Sequence, residues 1–194
     1  MGKLLENLNI TLIIGLVLAL ALMAGVHAET ISADPQTYEA ILRWLHVFFG
    51  ITWIGLLYYF NFVQIPTMPT IPAELKPAVS KYIAPNALFY FRWGAAFTVL
   101  TGALLALVKN YFVEALTLQD GFELIGIGMW LALIMAFNVW FIIWPNQQRA
   151  LGLVEADDAS KAKSARTAML ASRANTALSL PMLYAMATYQ TLGS

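Results

Sequence analysis

The sequence contains no cysteine. That excludes disulfides, thiolate-held metals, iron–sulfur clusters and a c-type haem, which needs a Cys-x-x-Cys-His attachment. Histidine is nearly as scarce. Only His27 and His46 are present, so any imidazole chemistry must use one of these two. Charge is also thin, with Asp, Glu, Lys and Arg making up 11% of residues, against about 25% in soluble domains. The formal net charge is zero, which leaves neither a basic footprint for nucleic acid nor an acidic solubilising surface. There is no internal repeat and no low-complexity run.

What fills the sequence is apolar residue, 60% of the total. Crossing the hydrocarbon core of a bilayer takes about 20 apolar residues. Five stretches reach that length: 10–26, 40–63, 87–108, 124–144 and 167–189. Lipid offers no hydrogen-bond partner to bare backbone, so each is predicted to be helix. No two-residue alternation suggests a barrel. The expected fold is all-α, a polytopic transmembrane bundle of about five helices forming a single membrane domain over 1–194, with the lipid bilayer as its surroundings.

The connections set the orientation. Residues 27–38 carry Glu29 and Asp34 but no Lys or Arg, and 109–123 carry one Lys and three carboxylates. Residues 64–86 hold five prolines (66, 69, 72, 77 and 85) with Lys76 and Lys81, and the Ile65–Pro66 step is expected to end the second helix. Residues 145–166 hold Arg149, Lys161, Lys163 and Arg166. With a cytoplasmic amino terminus, nine of the eleven basic residues lie on or near the inner side, leaving Arg43 and Lys109 outside. The positive-inside rule therefore favours an inner amino terminus and an outer carboxyl terminus. The first stretch, with Lys3, an apolar run and Val26-His27-Ala28, also reads like a signal segment with a small-residue cleavage site. A retained helix is the preferred reading.

His46 is the most informative residue, roughly two turns in from the outer surface on the second stretch. An ionisable group inside a span usually faces a pocket or a partner, and neutral imidazole is a common axial ligand of haem iron. Gly50 and Gly55 leave space further along the helix for a flat macrocycle, and Arg43 lies one turn outward on the same face, within reach of a propionate. The plainer reading is a hydrogen bond from His46 to a neighbouring helix. His27 is a possible second ligand or an interfacial residue. Trp53 packs either on a bound ring or in the core. Toward the inner side, Asn61, Gln64, Arg92, Asn138, Arg173, Asn175 and Ser179 bring polar groups from four helices to overlapping depths. They read as a polar pocket or, equally, as the glue between helices. Gly94, Gly102, Gly126 and Gly128 are expected to permit close helix approach.

Three segments resemble the membrane domain of the bacterial membrane-bound, cytochrome-c-linked urate oxidases (urate hydroxylases). They are Leu42–His46 continuing through Gly50-Ile51-Thr52-Trp53-Ile54-Gly55, then Asn138-Val139-Trp140-Phe141-Ile142-Ile143-Trp144-Pro145-Asn146-Gln147, and Ser172-Arg173-Ala174-Asn175 with Leu178–Leu183. The resemblance spans about residues 40–190. The first segment is also similar to membrane-embedded, haem-linked protoporphyrinogen oxidases, which implies that His46 is a haem ligand. Those urate oxidases are longer and carry a cytochrome c domain, so the chain is expected to be a short form without it. Ala174 stands where the third segment of the family has a histidine, which argues against urate oxidation itself. The resemblance implies a b-type-haem redox protein of the bacterial inner (cytoplasmic) membrane. His46 is its iron ligand, Arg43, Gly50 and Trp53 lie around the cofactor, and a separate redox partner takes the electrons. The alternative is a non-catalytic subunit of a larger membrane complex.

Overall fold

The computed structural model describes residues 2–27 and 35–192, the side chains of Lys3 and His27 excepted. The chain divides into two compact units, residues 1–41 and 42–194. Every long element among the described residues is helical.

In the first unit, α1 runs Leu8–His27. Asn7 caps it, its side-chain oxygen accepting the backbone N–H groups of Asn9 and Ile10, which satisfies donors that the first turn leaves free. No described side chain on α1 is buried, so its apolar surface on every side faces whatever surrounds it. Pro35 opens α2, Pro35–Tyr58, in the position where a missing N–H costs nothing.

Within the second unit the rest of α2 packs antiparallel to α3, Ala84–Val108. The pairs that show it are His46 with Gly102, Trp53 with Gly94, and Phe60 with Phe91. α4 runs Glu123–Phe137 and α5 runs Asp158–Leu192. The core lies where Trp53, Leu57 and Phe60 meet Leu88, Phe91 and Ala95, with Met135, Val139 and Ile143 closing it from the α4 side. A Cβ on Gly94 would stand 3.2 Å from the Trp53 backbone nitrogen, and one on Gly128 would stand 3.0 Å from the Ala185 Cβ. The missing side chains let these helices touch almost backbone to backbone, as small residues do in membrane bundles.

Three π-helical turns, Tyr59–Gln64, Val79–Ile83 and Asn138–Ile143, each end two residues before a proline: Pro66, Pro85 and Pro145. The cause is local. Proline has no N–H, and its ring collides with the carbonyl four residues earlier. A wider turn moves that carbonyl aside, and the residue before each proline bonds five residues back: Ile65 to Phe60, Ala84 to Val79, Trp144 to Val139. After two of the prolines an asparagine side chain donates to the carbonyl four residues before it, Asn86 to Tyr82 and Asn146 to Ile142. The second helix therefore runs past Pro66, which was expected to end it, and the fourth runs past Pro145 in the same way. The second continuous helical stretch reaches Thr70 and the fourth reaches Ala150.

Four helical stretches are long and apolar enough to cross a membrane: Leu8–Val26, Pro35–Thr70, Lys76–Val108 and Glu123–Ala150. The fifth expected span, 167–189, is helical but lies within a more polar 35-residue helix. Its charged first turns, with Asp158, Lys161, Lys163 and Arg166, and a buried seam of Ser164, Ala168, Ser172, Asn175, Ser179, Met182 and Ala185 together give that polarity. This helix turns small and polar groups inward against α4 and the Trp144–Ala150 helix, where they bond to neighbours.

Candidate functional site

His46 sits half-buried on α2, and its position depends on two residues of α3. The ring lies so close to Gly102 that a Cβ there would be 2.7 Å from the imidazole Cε1. Gly102 is thus the gap that admits the ring. The His46 Nδ1 is 2.9 Å from the Thr98 backbone oxygen. A carbonyl only accepts, so Nδ1 carries the proton and donates, and the lone pair is left on Nε2. This is the tautomer that a metal-binding histidine takes when a backbone carbonyl orients it. Thr98 and Thr101 turn their hydroxyls back to the Gly94 and Phe97 carbonyls of their own helix, and the stacked Phe49 and Phe97 rings, 4.9 Å apart, flank the region.

The residues proposed around His46 fare differently. Arg43 is half-buried one turn before it. Gly50 lies near Thr98, where an added Cβ would be an ordinary 3.9 Å from the Thr98 methyl, so α2–α3 packing does not require glycine there. Gly55 has nothing within 4 Å. Trp53 is fully buried in the core against Gly94, two turns from His46. His27 closes α1 in the first unit, and its side chain lies outside the described residues.

Among the described residues no group of three or more His, Asp or Glu side chains could hold a bare metal ion. A single imidazole of fixed tautomer is instead the donor set that suits an iron already held in a porphyrin, which needs only axial ligands. The donor chemistry of His46 is thus one that an axial site could use, while Gly50 lies near Thr98 and Trp53 is spent in the core.

The inner polar groups do not gather into one pocket. Asn138 donates to the Asn175 side-chain oxygen at 2.9 Å, and Asn175 donates to the Met135 carbonyl at 2.9 Å. Asn175 is fully buried, so this is a closed pair tying α5 to α4. Tyr58 and Ser179 bond at 3.0 Å, and Asn61 donates to Ser172 at 2.8 Å and to Leu57 at 2.9 Å, tying α2 to α5. Arg173 is exposed beside these buried neighbours.

Arg92 behaves otherwise. Its guanidinium carbon lies 3.4 Å from the centre of the Trp144 ring and 6.0 Å from that of Trp140, a cation–π contact worth about 2 kcal/mol when desolvated. Its Nε and Nη1 are nonetheless buried without an acceptor, and Asn61 Oδ1, Gln64 Oε1 and Trp53 Nε1 are buried without a partner as well. Each such atom costs on the order of 1–3 kcal/mol. The sequence pointed to Asn61, Gln64 and Arg92 by residue type. It gave no sign of Thr98 and Gly102 as the seat of His46, although a threonine and a glycine four apart on one helix face are a readable signal.

The fold and site together define an all-helical protein with four membrane-length helices, a tautomer-fixed histidine on the second and separate polar bonds between helices. Residues 118–190, less than half the chain, match the family model described as urate oxidase N-terminal. The chain is thus linked to urate oxidases over α4 and α5, which takes in the second and third of the resembling segments and not the one bearing His46. No curated protein and no solved structure matches.

Proposed function

We propose that this is a b-type-haem redox protein of the bacterial cytoplasmic membrane, related to the membrane domain of the cytochrome-c-linked urate oxidases. In this reading α5 crosses the bilayer as a fifth span, with the amino terminus inside and the carboxyl terminus outside. The single observation that carries the haem assignment is the Nδ1 hydrogen bond of His46 to the Thr98 carbonyl, which presents Nε2 as ligand. Haem, when bound, supplies a one-electron couple. The chain's own contribution is to hold and orient. Gly102 admits the imidazole, Thr98 fixes its proton on the far nitrogen, and Arg43 offers a positive charge one turn away for a propionate. A separate redox protein takes the electrons.

The test is the absorption spectrum of protein purified from native membranes. A reduced b-type band in the wild type that is absent from His46→Ala, at unchanged helix content by circular dichroism, is the expected result. A band that survives the substitution removes His46 as ligand. A native-membrane preparation without haem leaves a second reading, an accessory subunit of a larger membrane complex. The Asn138–Asn175 pair favours that reading, because amides spent on each other and on the Met135 carbonyl hold helices together.

A further inference from the structure

Asn61, Gln64 and Arg92 stand apart from the other inner polar residues: Asn138, Asn175 and Ser179 are bonded to neighbours, and Arg173 is exposed. Phe60 and Phe91 touch ring to ring, 5.5 Å between centres, and Asn61 and Arg92 directly follow them in sequence. Gln64 lies one turn beyond Phe60. With α2 and α3 antiparallel, Asn61 lies just beyond the Phe60–Phe91 contact, Gln64 one turn further on, and Arg92 just before it with its guanidinium over Trp144. Asn61 spends its amide N–H groups on Leu57 and Ser172, which leaves Oδ1 as an acceptor. Arg92 is pinned against Trp144.

The bare atoms are complementary, Arg92 Nε and Nη1 as donors with a positive charge, Asn61 Oδ1 and Gln64 Oε1 as acceptors, yet none is paired with another. Side chains serving only as glue would bond directly. An arrangement that holds both sets buried and unbonded is one that a third body completes. Asn61 and Gln64 also lie on the Tyr59–Gln64 π turn, and Trp144 follows the Asn138–Ile143 π turn. Such turns occur often at functional sites because they re-aim side chains.

We infer that Asn61, Gln64 and Arg92 form a binding site for a small anionic group that also bears hydrogen-bond donors. The anion satisfies the Arg92 N–H groups, and its hydroxyls donate to the two amide oxygens. A hydroxyl-bearing phosphate has this chemistry, either as free inorganic phosphate or as the headgroup of phosphatidylglycerol. The site is separate from the His46 region and does not depend on haem.

The test uses the full chain in detergent, with thermal unfolding and calorimetry against inorganic phosphate, and in parallel after doping with phosphatidylglycerol. One of the two probes raises the unfolding temperature of the wild type. Arg92→Gln weakens that probe at least about tenfold, the loss of a charge-assisted hydrogen bond. Gln64→Leu guards against misfolding. It breaks no bond within the protein, so the ligand-free chain keeps its stability while the response to the probe falls. A response to phosphate identifies a soluble anion, and a response to phosphatidylglycerol alone identifies a lipid. If neither probe binds, or if both variants respond as the wild type does, the proposal is overturned.

Discussion

Adding one methyl at Gly102 is the sharpest probe of how His46 is held. In Gly102→Ala the new Cβ would lie 2.7 Å from the imidazole Cε1 and 3.0 Å from Nδ1, distances no relaxed structure keeps. The ring must swing away, and the hydrogen bond to the Thr98 carbonyl goes with it. Losing that bond costs about 0.5–1.5 kcal/mol, and overpacking adds about 1–3 kcal/mol. Against this, alanine in place of a helical glycine returns up to about 1 kcal/mol. The net expectation is a destabilisation of about 1–3 kcal/mol. Gly50→Ala is the control, since its Cβ would meet only the Thr98 methyl at an ordinary 3.9 Å; it should be neutral or slightly stabilising. Both are read as denaturation midpoints of the chain in detergent. A double-mutant cycle with His46→Ala isolates the contact, because removing the ring removes the collision. The Gly102 penalty should then shrink, by a coupling of about 1–3 kcal/mol. If Gly102→Ala is as stable as the wild type with His46 in place, or if the cycle shows no coupling, the imidazole is not seated as described.

Two further outcomes follow. Asn175→Ala removes both bonds of a fully buried amide and strands the Asn138 side-chain N–H, so the midpoint should fall by an amount equivalent to about 1–3 kcal/mol. Asn138→Ala, which removes only the bond between the two amides, should cost less. Asp157 caps α5. The Ser160 backbone N–H and then its hydroxyl bond the carboxylate, and these bonds hold it below the usual carboxylate range. A group whose folded value is depressed stabilises above its unfolded value, and the gain is lost as pH falls through the folded one. Acid scans should therefore show a loss of stability below the ordinary carboxylate range that is flatter in Asp157→Asn, which keeps a capping oxygen without a titrating proton.

The polar residues show most plainly where reading a sequence stops. Asn138, Asn175, Arg92 and Arg173 share a depth because they occupy similar fractions of their helices, and depth follows from counting residues. Which way each side chain turns does not. Asn138 and Asn175 close on each other, Arg173 is exposed, and Arg92 sits over the Trp144 ring. Only the rotation of each helix about its axis separates these cases, and that rotation is set by packing against neighbours. The prolines mislead for a related reason. Pro66 and Pro145 carry the ordinary signal of a helix end, but a π turn ahead of each absorbs the collision and the helix continues.

Helical class, the four membrane-length apolar helices, and the glycines at the contacts were legible in the linear chain. They depend on local hydropathy, on backbone that must bond to itself, and on the absence of a side chain, none of which needs a neighbour to be known. Gly94, Gly102, Gly126 and Gly128 were each expected at close approaches, and each has an atom of another residue where its Cβ would stand. The tautomer of His46, the closed pairing of the asparagines and the unpaired atoms of Asn61, Gln64 and Arg92 came only with the tertiary structure. Hydrogen bonding is directional and short-ranged, so it is decided by which residues of distant helices come within about 3 Å of each other, and sequence spacing carries no such distance.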